Sequence, residues 1–147
     1  FRKTDITRNS MKCKLSKVLF RILLVLYIGT IAFLCFAKPD TFPAVHKSFL
    51  GIPADKAVHF LMFFPLPIIA FFALGRKNGS TLEVVGSIIS VAAFSCVLAG
   101  ITEIVQGTLP YRSEDINDFK ADCLAIVLAS IAVLIVHLIR SRKKHHK

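Results

Sequence analysis

Residues 101–126 read ITEIVQGTLPYRSEDINDFKADCLAI, a polar run set between two long apolar segments. Glu103 and Gln106 close the upstream segment, and Asp118 and Asp122 open the downstream one. Ionisable side chains are expensive at hydrocarbon depth, so they normally face a protein interior or a wet cavity. The run therefore marks the place where two membrane helices meet and where the chemistry of the chain is concentrated.

The rest of the chain has the composition this demands. It has 147 residues, of which 54% are hydrophobic, and a mean hydropathy of +0.64. Both values are too apolar for an ordinary soluble domain and point to an integral membrane protein. There are thirteen Phe and no Trp, so Tyr27 and Tyr111 can supply little of the usual interfacial aromatic belt.

Four apolar stretches approach the ~20 residues needed to cross the hydrocarbon. They cover residues 18–37, 56–74, 82–106 and 118–139. A signal peptide competes for the first, but the run is long and Cys35-Phe36-Ala37 is a poor cleavage site, so an uncleaved helix is expected. Pro65 and Pro67 should kink the second, since each removes a backbone donor. Residues 75–80 read as a short turn. Residues before Met11 read as polar and irregular, and Met11 would be a natural start, leaving 1–10 as an upstream extension. The expected fold is an all-α membrane protein: a basic polar segment over 1–17, one bundle of four transmembrane helices over 18–139, and a basic tail over 140–147.

Charge sets the expected orientation. The net charge is +10. If both termini are cytoplasmic, only Lys38, Lys47, Lys56, Arg112 and Lys120 of the nineteen Lys and Arg residues fall outside, as the positive-inside rule requires. The acids divide the other way. Asp5 and Glu83 fall inside, whereas Asp40, Asp55, Glu103, Glu114, Asp115, Asp118 and Asp122 fall outside. The polar chemistry is thus expected on the extracytoplasmic face. Basic residues flank apolar stretches rather than interleaving with aromatics, so anionic lipid headgroups and not nucleic acid are the expected partners.

No CxxC pair occurs among Cys13, Cys35, Cys96 and Cys123, which read as small apolar residues; a Cys35–Cys123 disulfide is left open. His46, His137, His145 and His146 carry no motif.

Spacing gathers the candidate site. Asp55 and His59 are four apart, as are Asp118 and Asp122, and Glu103 and Gln106 are three apart, so each pair shares a helix face. Asp115 suits an N-cap, with Asp118 in the first turn beside the positive end of the helix dipole. The stacked carboxylates of Asp118 and Asp122 would repel unless Arg112, Lys56, Lys120 or a bound cation offset them.

The stretch Asp55-Lys56-Ala57-Val58-His59-Phe60, followed by Glu103-Ile104-Val105-Gln106, Pro110, Arg112, Asp115 and Asp118, resembles the VanZ-like family of small bacterial membrane proteins. The resemblance covers residues 55–129. It implies a multi-pass protein of the bacterial inner (cytoplasmic) membrane with a role in the cell envelope. The family's founding member is associated with resistance to the glycopeptide teicoplanin, a phenotype that names no reaction. Two positions depart from the family pattern. Asp122 stands where Asn is usual, adding negative charge to the site, and Ala125 stands where Gly often follows, implying looser packing of the fourth helix.

Several functions fit these residues. Asp55, Lys56, His59, Glu103, Gln106, Arg112, Asp115, Asp118 and Asp122 could line an outward-open pocket for the headgroup of an amphiphilic or lipid-linked envelope compound. Lys56 and Arg112 would then meet phosphate or carboxylate, and Phe60, Phe63 and Phe64 an acyl or prenyl chain. The same residues could merely tie the helices together, with Arg112 paired to Asp115 or Asp118. A metal-dependent enzyme would use His59, Glu103, Asp118 and Asp122 for a divalent cation, or His59 as a base oriented by Asp55. Proton-coupled transport is a further alternative, weakened by the position of Glu103 near the outer edge. Binding is favoured over catalysis, because no HxxxH pair, nucleophile elbow or Gly-rich phosphate loop is present, and no cofactor or resident metal is expected.

Overall fold

Helix formation follows the apolar runs and overshoots them at both ends of the chain. The computed structural model describes residues 2–38, 48–49, 52–75, 79–112 and 115–145. Asp40, His46, Lys47, Arg76, Lys77, Ser113 and Glu114, on which parts of the sequence reading fall, lie outside these residues. Helix α1 runs over Arg2–Phe36. It begins well before Met11, where the sequence reading expects irregular chain. Once an apolar run has nucleated a helix, each further residue adds a hydrogen bond at little extra cost, so a polar extension is carried along. Helix α5, Ile116–His145, likewise continues through the basic tail, where positive charge suits the negative end of the helix dipole.

Two strands of two residues each, β1 (Ser48–Phe49) and β2 (Ile52–Pro53), pair antiparallel just before the second span. Among the described residues the regular structure is otherwise helical.

The two prolines divide the second span into α2, Ala54–Phe63, and α3, Pro65–Leu74. Phe64 between them keeps helical angles (φ −62°, ψ −45°), and its N–H still bonds the Phe60 carbonyl at 3.0 Å. The helical ladder is interrupted here because Pro65 has no N–H to offer the turn behind it. At this break the Tyr27 hydroxyl from α1 donates to the Met62 carbonyl at 2.8 Å. A neighbouring helix thus supplies a donor to a carbonyl beside the break.

Helix α4, Thr81–Gly107, starts with a capping box. The Ser80 N–H donates to Glu83 Oε2 at 2.9 Å, and the Glu83 N–H returns a bond to Ser80 Oγ at 3.4 Å. Ser80-x-x-Glu83 is a readable start signal.

Helices α2 and α4 pack chiefly on α5, while α1 lies mainly along α3. Phe63, Leu66, Ala70, Val84, Ala99, Ala125 and Ile126 are wholly buried between them. Alanines at such contacts let backbones approach closely. Outside this core the chain exposes Leu26, Leu61, Val97, Ile104 and many similar side chains. So extensive an apolar exterior would be a liability in water and suits lipid. Four helical segments are long and apolar enough to cross a membrane: Lys14–Phe36, Ala54–Leu74, Thr81–Gly107 and Ile116–Lys143. Side-chain contacts bring the C-terminal ends of α1 and α4 together with the N-terminal ends of α2 and α5.

Candidate functional site

Lys56, in the first turn of α2, reaches across to the start of α5. Its Nζ lies 2.7 Å from Asp115 Oδ2 and 2.9 Å from Asp118 Oδ1, with Asp55 Oδ2 at 3.6 Å. One ammonium therefore holds three carboxylates. Asp115 caps α5: its Oδ1 accepts the Asn117 backbone N–H at 2.8 Å and the Asn117 side-chain amide at 2.9 Å. The Lys56 ammonium, helped by these amides, holds the Asp115 carboxyl below the usual 3.8.

One helical turn deeper, the same two helices present a second, drier group. His59 Nδ1 faces both oxygens of Asp122, at 3.2 and 3.3 Å. Glu103 Oε1 from α4 stands 3.8 Å from the same nitrogen. On the far side of the ring, Nε2 is 3.9 Å from Asp118 Oδ2. The side chains of His59, Glu103 and Asp122 are 8%, 9% and 0% exposed. Glu103 is anchored through Oε2, which accepts the Asp115 backbone N–H at 3.2 Å. Its Oε1 is buried with no hydrogen-bond partner among the described residues.

Gln106 and Arg112 serve a different partner. Gln106 Nε2 donates to the Cys35 carbonyl at 3.0 Å, and Arg112 NH2 donates to the carbonyls of Leu34 and Ala37 at 3.4 and 3.1 Å. The Tyr111 hydroxyl donates to the Phe36 carbonyl at 2.9 Å. These carbonyls end α1 and have no partner within their own helix, so side chains from α4 and the turn after it cap the helix. The Arg112 cation also meets the negative end of the α1 dipole there.

All nine candidate residues thus lie at one end of the bundle, divided into three groups. Lys56 is the cation that holds Asp55, Asp115 and Asp118; Arg112 does not pair with Asp115 or Asp118, and Lys120 is exposed. Phe63 is core, whereas Phe60 and Phe64 are half-buried and stack at 5.9 Å. Cys35 and Cys123 are free thiols, so the disulfide left open by the sequence is not formed. Sequence reading missed Tyr111 and Tyr27 as donors, since main-chain carbonyl partners leave no side-chain signature. It could have found Asn117, which follows the N-cap by two residues, the usual offset for an Asx bond.

A groove of about 660 Å³ lies between α3 and α5, lined by Phe71, Phe72, Val133, Val136, His137 and Arg140. It shares no residue with the polar groups. No protein-family model, curated protein or solved structure matches this chain.

Proposed function

We propose that the chain is a VanZ-like multi-pass protein of a bacterial cytoplasmic membrane that binds the polar headgroup of an amphiphilic or lipid-linked envelope compound at its extracytoplasmic face. The orientation rests on the excess of Lys and Arg on the opposite side.

One observation carries the reading. Along the α2–α5 contact, polar side chains grade from open to buried: Asp55 is 56% exposed, Asp115 36%, Lys56 24%, Asp118 12% and Asp122 0%. A headgroup entering from the water would meet the Asp55–Lys56–Asp115 rim first and the His59 group behind it. Five carboxylates here are balanced by Lys56 and, when protonated, His59, while Arg112 is engaged with α1. The rim therefore suits a headgroup rich in amine or hydroxyl donors better than a bare phosphate. Half-buried Phe60 and Phe64 offer apolar contact to its chain.

The test is lipid analysis of the gently purified protein, wild type against Lys56→Ala and Asp55→Asn. Losing a charged hydrogen bond of about 1.5–3 kcal/mol should deplete a bound amphiphile roughly tenfold or more at unchanged membrane abundance. An unchanged lipid profile, or loss of protein in step with lipid, speaks against it. The latter outcome favours a purely structural network, the reading that the capping of α1 by Gln106, Tyr111 and Arg112 supports.

A further inference from the structure

We propose that His59, Glu103 and Asp122 form a binding site for a divalent first-row metal ion of the zinc type, built between α2, α4 and α5. This goes beyond the headgroup reading and does not require it.

The donor set comes first. Each residue offers one ligand atom, and the three atoms lie within 4.8 Å of one another. His59 Nδ1 is 3.2 Å from Asp122 Oδ1 and 3.8 Å from Glu103 Oε1. Donors on a tetrahedral ion with bonds of about 2.0–2.1 Å stand roughly 3.3–3.4 Å apart. The two His59 edges bracket that spacing, and the Glu103–Asp122 edge, within 4.8 Å, would close onto the ion as it enters.

A second, independent observation points to a ligand. Glu103 is more than nine-tenths buried, and its Oε1 is aimed at His59 and Asp122 without a hydrogen-bond partner among the described residues. A carboxylate oxygen buried without a donor loses its hydration and gains nothing in return. A metal ion on that oxygen removes the penalty and offsets the repulsion from the Asp122 carboxylate.

The surroundings fit a metal site as well. The Asp115 backbone N–H holds the other Glu103 oxygen, and Asp118 stands beside the opposite ring nitrogen of His59. A hydrogen-bonded outer partner of the first kind orients a ligand, whereas Asp118, at 3.9 Å, acts on the ring through its charge. Three protein donors also leave a fourth position, as in zinc sites that accept water or substrate. The neighbouring trio Asp55, Asp115 and Asp118 differs in kind, since the Lys56 ammonium already takes the place of a cation there.

The test is equilibrium dialysis of the full chain in detergent, stripped with a chelator and then titrated with Zn²⁺. One zinc per chain is expected. Glu103→Gln and Asp122→Asn should each weaken it at least about tenfold, whereas Asp55→Asn, at the exposed end of the rim, should leave it unchanged. That last variant separates this inference from the headgroup reading. Wild-type protein that takes up no zinc, or binding retained at full strength in both Glu103→Gln and Asp122→Asn, overturns the proposal. In case those variants fold poorly, Co²⁺ added to the wild type supplies a second readout. Visible bands of a low-coordinate nitrogen–oxygen site support it; a thiolate charge-transfer band places the metal on cysteine and overturns it.

Discussion

His59 Nδ1 lies 3.2 Å from Asp122 Oδ1, joining α2 to α5 across 63 residues of sequence. Both side chains are inside the bundle, and Asp122 is wholly buried. A contact of this kind holds only while both partners remain. Removing one member of a buried pair costs about 3–5 kcal/mol in soluble proteins, and interhelical polar contacts in membranes are smaller, about 0.6–2 kcal/mol.

Asp122→Ala should therefore lower the stability of the detergent-solubilised protein by about 1–3 kcal/mol. The triple variant His59→Phe, Glu103→Gln and Asp122→Leu should recover much of that loss, because no buried charge is then left without its partner. Thermal unfolding of Asp122→Ala and of the triple variant checks it.

Arg112→Ala should free the end of α1. Its donors reach the Leu34 and Ala37 carbonyls, on either side of buried Cys35. Loss of a charged donor costs about 1.5–3 kcal/mol. Alkylation of Cys35 by a maleimide should accelerate in this variant and much less in Lys120→Ala, whose side chain is exposed.

Tyr27→Phe removes the donor that the Met62 carbonyl receives beside the Pro65 break. The expected loss is about 1 kcal/mol. Thermal unfolding checks it, and Pro65→Ala in the Tyr27→Phe background should not repair this bond, because the N–H it returns faces the Leu61 carbonyl and not that of Met62.

Acid should act on the rim before the core is considered. The Asp115 carboxyl titrates below the usual 3.8 because Lys56 and the Asn117 amides favour its charged form. A carboxylate depressed in the folded state contributes stability above its unfolded pKa and loses it as pH falls through the folded value. The Lys56–Asp115 contribution should therefore persist at pH 5 and fade only below about 3.8. Unfolding of wild type against Asp115→Asn across that range should show a difference that shrinks as acid is added.

The elements written in side-chain patterns were legible in the sequence. Hydropathy gave the four spans, Pro65 and Pro67 the break, and the four-residue spacings Asp55–His59 and Asp118–Asp122 the paired faces of α2 and α5. Asp115 was readable as an N-cap because its side chain and the turn it closes are local. Lys56 was one of several cations able to offset Asp118, and choosing it required the α2–α5 docking that sequence does not state. The hydrogen-bond partners of Arg112 and Gln106 were not legible for a different reason. Their partners are main-chain carbonyls more than seventy residues away, and a carbonyl carries no residue identity. Helix ends were underestimated because polar residues at Arg2 and beyond Ile139 lack hydropathy yet continue a helix already begun.

The most direct test replaces the cysteines, installs Asp55→Cys or Arg142→Cys, and labels intact cells with a membrane-impermeant maleimide. The account predicts that position 55, on the carboxylate-rich rim, reacts from outside, and that position 142 reacts only after the membrane is opened. Labelling of position 142 in intact cells, with position 55 silent until permeabilisation, would contradict it.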